Sequence, residues 1–316
     1  MRYLYWESTL AVRAVLVLLL AACARSPLPA PALAPAALPF AVDTMRSEVI
    51  SPGVVHRFVY SPTGPWAIHV LDVRLDRCYS ALAVKGAAGA VGRTKTSDLM
   101  RDLARTREVV GGVNADFFLF TPPGVPTNAH VTSGRVITPP NTRPVFAIDS
   151  AGRPHVVTLS VRGGGSFAVD DAALAHVSLL PFHPLEAVGG RPLLARDSVM
   201  DVNVDSAGGV SFASGRHPRT AVGIAADGKR LLLVVVDGRQ KPYSDGMNLR
   251  EFATLMLALG ARDALNLDGG GSTTMVYADP DSARVLRVAN HPSDPTGERP
   301  VGNALAVVRG CRPRQR

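Results

Sequence analysis

Two short stretches carry residues that can do chemistry together: Asp237-Gly238-Arg239 and Asp268-Gly269-Gly270-Gly271-Ser272-Thr273. A carboxylate can act as a nucleophile or general base, or hold a proton for a leaving group. An arginine fork matches the oxygens of a phosphate. Successive glycines let the backbone approach a ligand closely and offer it N–H donors. Ser272 and Thr273 add hydroxyls. Alone, the triple glycine reads as a tight turn with a capping Asp. Two carboxylates and two arginines nearby turn the reading toward a site.

The surrounding pattern explains why these groups should converge. Residues 221–225 and 230–236 are apolar runs around Ala226-Asp227-Gly228-Lys229, a hairpin signal. Pairing Ala225 with Arg230 sets Arg219 opposite Val236, next to Asp237. Asn248, with Glu251 three residues on, predicts a capped helix whose apolar face is Leu249, Phe252, Ala253, Met256 and Leu259. Gly260 ends it, and an apolar strand, 264–267, follows. A helix of this length suits a crossover between parallel strands. Asp237 and Asp268 would then lie past the carboxyl ends of two parallel strands, where open α/β sheets bind ligands. Asn114 and Asp116 follow another apolar strand, and Asn303 precedes the run 304–308.

The expectation is one α/β (mixed α+β) domain. It has a mixed β-sheet with a strand–helix–strand crossover and hairpins, and an active site at one sheet edge. Asp237 and Asp268 are the candidate catalytic residues. Asn114, Arg219, Thr220, Gly238, Arg239, Gly269, Gly270, Gly271, Ser272, Thr273 and Asn303 are the candidate substrate contacts.

Simpler roles compete. Arg219 and Asp237 can form a buried ion pair. Ser272 as a nucleophile would need a strand-to-helix elbow, but a strand follows it and no His is expected beside it. The eight His show no H-x-x-x-H spacing, so no metal or other cofactor is required, and His217 reads as structural or a substrate contact. Asp116, Asp237 and Asp268 together could still hold a divalent cation.

The same stretches carry a family resemblance. His217-Pro218-Arg219-Thr220-Ala221-Val222-Gly223, Asp237-Gly238-Arg239 and Asn266-Leu267-Asp268-Gly269-Gly270-Gly271-Ser272-Thr273-Thr274 resemble the phosphodiester glycosidase family. Asn114-Ala115-Asp116-Phe117-Phe118 is similar to its N-x-x-F-F segment, with Asp116 where many members carry Gly. Gly189-Gly190-Arg191-Pro192-Leu193-Leu194 is similar to its G-G-x-P-x-L segment. The likeness runs over residues 105–308. It implies hydrolysis of the glycosidic bond of a sugar-1-phosphodiester, in an envelope or extracellular glycoconjugate.

The leaving group would be a phosphate monoester. Its second pKa is about 6, so it departs without strong protonation. Carboxylate pairs are the usual equipment of glycosidases. In this reading Arg219 and Arg239 hold the phosphate while Asp237 and Asp268 face the sugar, one of them as nucleophile or base. The backbone of Gly269 to Gly271 contacts the ligand. The alternative is an envelope carbohydrate-binding protein that keeps the pocket without turnover.

Bulk properties agree with an exported domain. Of 316 residues, 47% are hydrophobic and 19% charged, which excludes wholesale disorder. The net charge of +8 comes from scattered Arg, so nucleic acid is not an expected partner. Residues 1–23 read as a signal peptide whose apolar run is too short to span a bilayer. It ends in Leu20-Ala21-Ala22-Cys23, which resembles a bacterial lipobox, so Cys23 is the expected lipidation site and a membrane the expected partner. The expected location is the envelope, on the periplasmic or extracellular side. Residues 24–40 are a Pro/Ala-rich tether, 41–311 the folded domain and 312–316 a basic tail. Removing Cys23 leaves Cys78 and Cys311, an expected disulfide. Nothing marks an obligate protein partner.

Overall fold

The computed structural model describes residues 38–86, 89–161, 167–169, 182–282 and 285–310. The signal peptide, Cys23, the tether up to residue 37, Cys311 and the basic tail lie outside the described residues. So does the Gly-rich turn at 162–166.

In chain order the strands are β1 (Thr44–Ser51), β2 (Val54–Ser61), β3 (Trp66–Arg74), β4 (Tyr79–Val84), β5 (Glu108–Asn114), β6 (His130–Thr132) and β7 (Arg135–Thr138). The middle of the chain adds β8 (Pro144–Asp149), β9 (Pro154–Val161), β10 (Phe167–Val169), β11 (Pro184–Gly189), β12 (Leu193–Arg196) and β13 (Val199–Met200). The last third holds β14 (Arg219–Ala225), β15 (Arg230–Val236), β16 (Ala261–Asn266), β17 (Met275–Ala278), β18 (Leu286–Val288) and β19 (Ala304–Arg309). The α-helices are α1 (Thr96–Ala104), α2 (Val210–Ser214) and α3 (Leu249–Ala258).

These strands form three sheets. The first has the order β1-β2-β3-β15-β14-β16-β12-β13, the second β10-β9-β8-β11-β6-β7, and the third β18-β17-β5-β19-β4. Every strand pairing among the described residues is antiparallel.

This corrects the expected fold class. The protein is predominantly β, built from antiparallel sheets, and not a mixed α/β crossover fold. The strand–helix–strand unit exists locally, but β14 lies between β15 and β16 and pairs with both. The two strands therefore run the same way without touching. The misleading signal was the helix between them, whose length suits a crossover between parallel strands. The apolar run Leu231–Val236 is buried on both faces. Leu231, Leu233 and Val235 face a core shared by the three sheets. Leu232, Val234 and Val236 face α3 and the entering segment around Leu38.

The hairpin register was legible: Arg219 pairs with Val236 as the turn chemistry dictates. The α3 capping box also forms, with Asn248 Oδ1 accepting from Glu251 N–H at 2.8 Å and the Glu251 carboxylate accepting from Asn248 N–H at 2.9 Å. Leu249, Phe252, Ala253 and Met256 on α3 are fully buried against the first sheet. The α1 residues Leu99 and Met100 seal the outer face of the third sheet.

One ion cluster is structural. Asp72 on β3 is 1% exposed and accepts from Arg57 at 2.8 Å and from Arg230 at 2.8 and 3.1 Å, which ties β2, β3 and β15 together. At the far end Cys78 is disulfide-bonded, and Gly310 N–H donates to Cys78 O at 2.8 Å.

No helix among the described residues is long and apolar enough to cross a membrane. Because Phe252 fills the space between α3 and the first sheet, Phe252→Ala should lower unfolding stability by about 3–5 kcal/mol. Urea denaturation measures this; a loss below about 1 kcal/mol would mean that α3 does not cover this core.

Candidate active site

The site forms where strands of two sheets end together. Beyond β5 come Ala115 and Asp116, and beyond β16 come Leu267 and Asp268. The β14–β15 hairpin adds Arg219 and Asp237 at the same edge. Asn114 fastens the strands. Its side chain is fully buried; Oδ1 accepts from Thr220 Oγ1 at 2.9 Å and Thr274 N–H at 3.0 Å, and Nδ2 donates to Asp268 O at 2.6 Å. Asp268 N–H donates to Ala115 O at 2.8 Å.

The electrostatic centre is a pair of carboxylates, Asp116 and Asp268. Asp116 is 2% exposed, with Oδ2 accepting from Asn128 N–H at 2.8 Å and Oδ1 from Thr127 Oγ1 at 3.4 Å. Burial pushes its pKa up to about 7, and the neighbouring Asp268 charge pushes the same way. Asp268 is half-buried, and desolvation raises it to about 6. The Ser272 hydroxyl and the charges of Arg299 and Arg191 act against that rise. Gly189 makes room for the pair: a Cβ there would lie 2.6 Å from Asp116 Oδ2.

Arg191 and Arg299 act on Asp268, and Arg239 lies by the glycine turn that follows it. Arg191 lies 4.9 Å over the Phe117 ring, and both Asp116 and Asp268 act on its charge. Its buried Nε has no hydrogen-bond partner among the described residues. Arg239 and Arg299 lie against the glycine turn. Gly270 has φ +60, and a Cβ on it would stand 3.1 Å from Arg239 Nη1. A Cβ on Gly271 would collide with the Arg299 guanidinium. The glycines thus bring two cationic forks close to the Asp268 loop. Arg299 is steadied by Asp294, which accepts from its Nε at 2.7 Å. Arg239 Nη2 lies 3.3 Å from His217 Nδ1.

Other sequence-nominated residues occupy different positions. Asp237 is 0% exposed and its oxygens are taken: Asn290 Nδ2 donates at 2.9 Å, Tyr243 Oη at 3.1 Å and His291 N–H at 3.1 Å. Burial raises its pKa against those hydrogen bonds. It braces the 237–247 and 290–291 loops. Arg219 is not its ion-pair partner. Its Nε donates to Met247 O at 2.9 Å, and its Nη2 to Phe212 O at 2.8 Å and Gly215 O at 2.9 Å. Desolvation pushes the Arg219 guanidinium down to about 10.

Thr220 is spent on Asn114, while Asn303 Oδ1 accepts from Asp116 N–H at 2.8 Å. Gly238 packs against Pro218 and Gly246. Ser272 and Thr273 are fully buried beneath the turn, and Gly269 packs on Pro218 O. Asp116, Asp237 and Asp268 do not converge as one cation-binding group. Among the described residues the triad with that spacing is Glu48, Asp279 and Asp281.

Sequence reasoning missed Arg191 and Arg299. Arg191 was inside the quoted G-G-x-P-x-L segment, at its variable position. Arg299 sits in a loop without periodicity, and nothing in sequence placed it over Gly271.

The phosphodiester glycosidase family model matches residues 107–308, more than half of the chain, and the chain belongs to that family. No curated protein matches the sequence. Among solved structures, a hypothetical protein from Synechocystis superposes with a TM-score of 0.61 at 18% identity, covering 84% of this chain and 64% of its own. The chain thus spans less than two thirds of that protein. A Burkholderia pseudomallei protein described as exported gives 0.55 at 22% identity, with 78% and 74% covered. The catalytic domain of zebrafish N-acetylglucosamine-1-phosphodiester alpha-N-acetylglucosaminidase, auto-inhibited by its pro-peptide, gives 0.57 at 21%, with 85% and 82% covered. At these identities the likeness concerns the fold.

The raised carboxyls have a consequence for stability. A carboxyl whose folded pKa exceeds its unfolded value of 3.8 binds more protons in the native state. Stability is then lost as pH rises from about 4 to about 7. Asp116→Asn removes that loss. Its melting temperature should exceed the wild type's at pH 8, by a margin that shrinks toward pH 4. A margin that does not change with pH contradicts the assignment.

Proposed function

We propose that the protein hydrolyses the glycosidic bond of a sugar-1-phosphodiester. The observation that carries this is the desolvated Asp116–Asp268 pair bordered by Arg191, Arg239 and Arg299. Two neighbouring carboxyls held above their ordinary range by burial favour turnover over binding alone. A site with cationic forks at one end and a carboxylate at the other suits a substrate with an anionic leaving group. The forks of Arg239 and Arg299 bind the phosphate oxygens. Asp268, the more exposed and more ionised of the pair, faces the anomeric carbon.

In the reaction the oxygen of a water molecule bonds to the anomeric carbon and its proton passes to Asp268. The bond from that carbon to the phosphate oxygen breaks, and the electron pair leaves on the phosphate monoester. The arginines neutralise the developing charge. Asp116, behind Asp268, holds a proton, so the pair carries one negative charge rather than two. This revises the sequence-based pairing: Asp237 becomes a brace, and Arg299 takes the phosphate role expected of Arg219.

The setting proposed for this chemistry is the bacterial envelope. Cys23 carries lipid, the Pro/Ala-rich stretch is the tether, and Cys311 is the partner of Cys78. The position of Gly310 beside Cys78 supports that bridge.

Release of sugar from a sugar-1-phosphodiester by the purified chain tests the assignment. Asp268→Asn should cut turnover by about 10²–10⁴-fold with the fold intact. Asp116→Asn, which mimics the protonated partner, should be milder. Arg239→Lys and Arg299→Lys keep charge but lose the fork, and should mainly raise KM. Near wild-type turnover in Asp268→Asn would refute the proposal.

A further inference from the structure

A second cavity, of about 590 Å³, lies over the face of β1–β3 and is closed by β17. This falls in the size range of small-molecule sites, roughly 300–1,000 Å³. The active-site chemistry above does not use it. Its walls are ring faces. The His56 ring is sandwiched between Tyr277, at 4.6 Å, and His69, at 5.4 Å, with both pairs nearly parallel. Phe58 packs against His69 at 5.0 Å. Arg46 and Glu48, two positions apart on the same face of β1, form the polar edge, and Tyr243 bounds the cavity from the 237–247 loop.

The cavity is pre-organised and close to electrically neutral. His56 Nε2 and His69 Nδ1 share a hydrogen bond at 3.1 Å, which fixes both rings. Burial pushes His56 down to about 4 and His69 down to about 3, so both are uncharged at neutral pH. Arg46 offsets Glu48, and Arg287 pairs with Asp279 close by, leaving the exposed Asp281. The lining itself carries one cation, Arg46, and one anion, Glu48, while Asp281 adds a negative charge beside it. His69 is 5% exposed; its Nε2 makes no hydrogen bond among the described residues and lies 3.9 Å from Asp237 Oδ2.

We propose that this cavity is a binding site for a neutral saccharide. A pyranose offers apolar C–H faces to flat rings and a girdle of hydroxyls to charged or polar edges. That is the distribution of the lining: Phe58 and Tyr277 for the faces, and Arg46 and Glu48 for the hydroxyls. An aromatic ligand would match the walls and leave the Arg–Glu edge unused. A phosphate would meet Glu48 without the paired arginines found at the glycine turn. The site shares the 237–247 loop with the first one. Tyr243 lines it and also holds Asp237, while Arg239 stands four residues earlier on the same loop. A saccharide held here would anchor a glycan while its end is processed. That use rests on the proposed activity; the binding does not.

Calorimetric titration of the full chain with chitobiose, cellobiose and maltose tests this. At least one should bind at concentrations up to about 10 mM, and Arg46→Ala and Phe58→Ala should each weaken it at least roughly tenfold. Arg46 is exposed, so its variant should melt at the wild-type temperature. Asp268→Asn should retain the binding even when it abolishes turnover, which separates this site from the carboxylate pair. The inference is overturned if none of the three disaccharides binds, or if binding survives both Arg46→Ala and Phe58→Ala but is lost in Asp268→Asn.

Discussion

The site depends on one buried amide. The Asn114 side chain takes hydrogens from Thr220 on β14 and from the Thr274 backbone, and gives one to the backbone of Asp268. Through it the end of the third sheet is locked to the end of the first. The glycine turn and Asp116 inherit their positions from that joint. In a buried setting each of these bonds satisfies a group that would otherwise be stranded, so the joint has one stable arrangement. An antiparallel scaffold suits it, because loops from both directions of the chain return to a common edge.

On that frame the molecule holds two carboxyls in a desolvated corner. Their burial works against stability at neutral pH, and the surrounding groups only partly offset it. A hydrogen bond from Asn128, the nearby Ser272 hydroxyl and the charges of Arg191 and Arg299 draw the pair back toward ionisation. The outcome is a pair whose protons are exchangeable near neutrality. Strain of this kind is characteristic of sites that do chemistry. Asp237 shows the contrast. It is more deeply enclosed, yet its oxygens are fully occupied by Asn290, His291 and Tyr243, so it serves as a brace.

Local structure was more legible in the sequence than the fold. The hairpin turn fixed Arg219 opposite Val236, and Asn248 with Glu251 marked the start of α3. These are local signals with local causes. Convergence of Asp268, Asn114 and Arg239 at one edge followed from them and from the family motifs. The sheet order did not. Nothing in the apolar run 231–236 says that β14 will sit between β15 and β16, because that is decided by pairing across distant segments. The partners of Asp237 and Arg219 were not legible for a similar reason. Their partners, Asn290 and Met247, lie in loops without periodicity. Arg299 was invisible because only its position over Gly271 gives it a role.

The central claim is that the phosphate sits on Arg239 and Arg299 while the sugar faces Asp268. A crystal structure of the Asp268→Asn variant soaked with a sugar-1-phosphate tests it most directly. The account predicts phosphate oxygens within hydrogen-bond reach of both guanidinium groups over Gly270 and Gly271, with the anomeric carbon turned to residue 268. A ligand bound with its phosphate away from both arginines, or with its anomeric carbon turned away from residue 268, would contradict it.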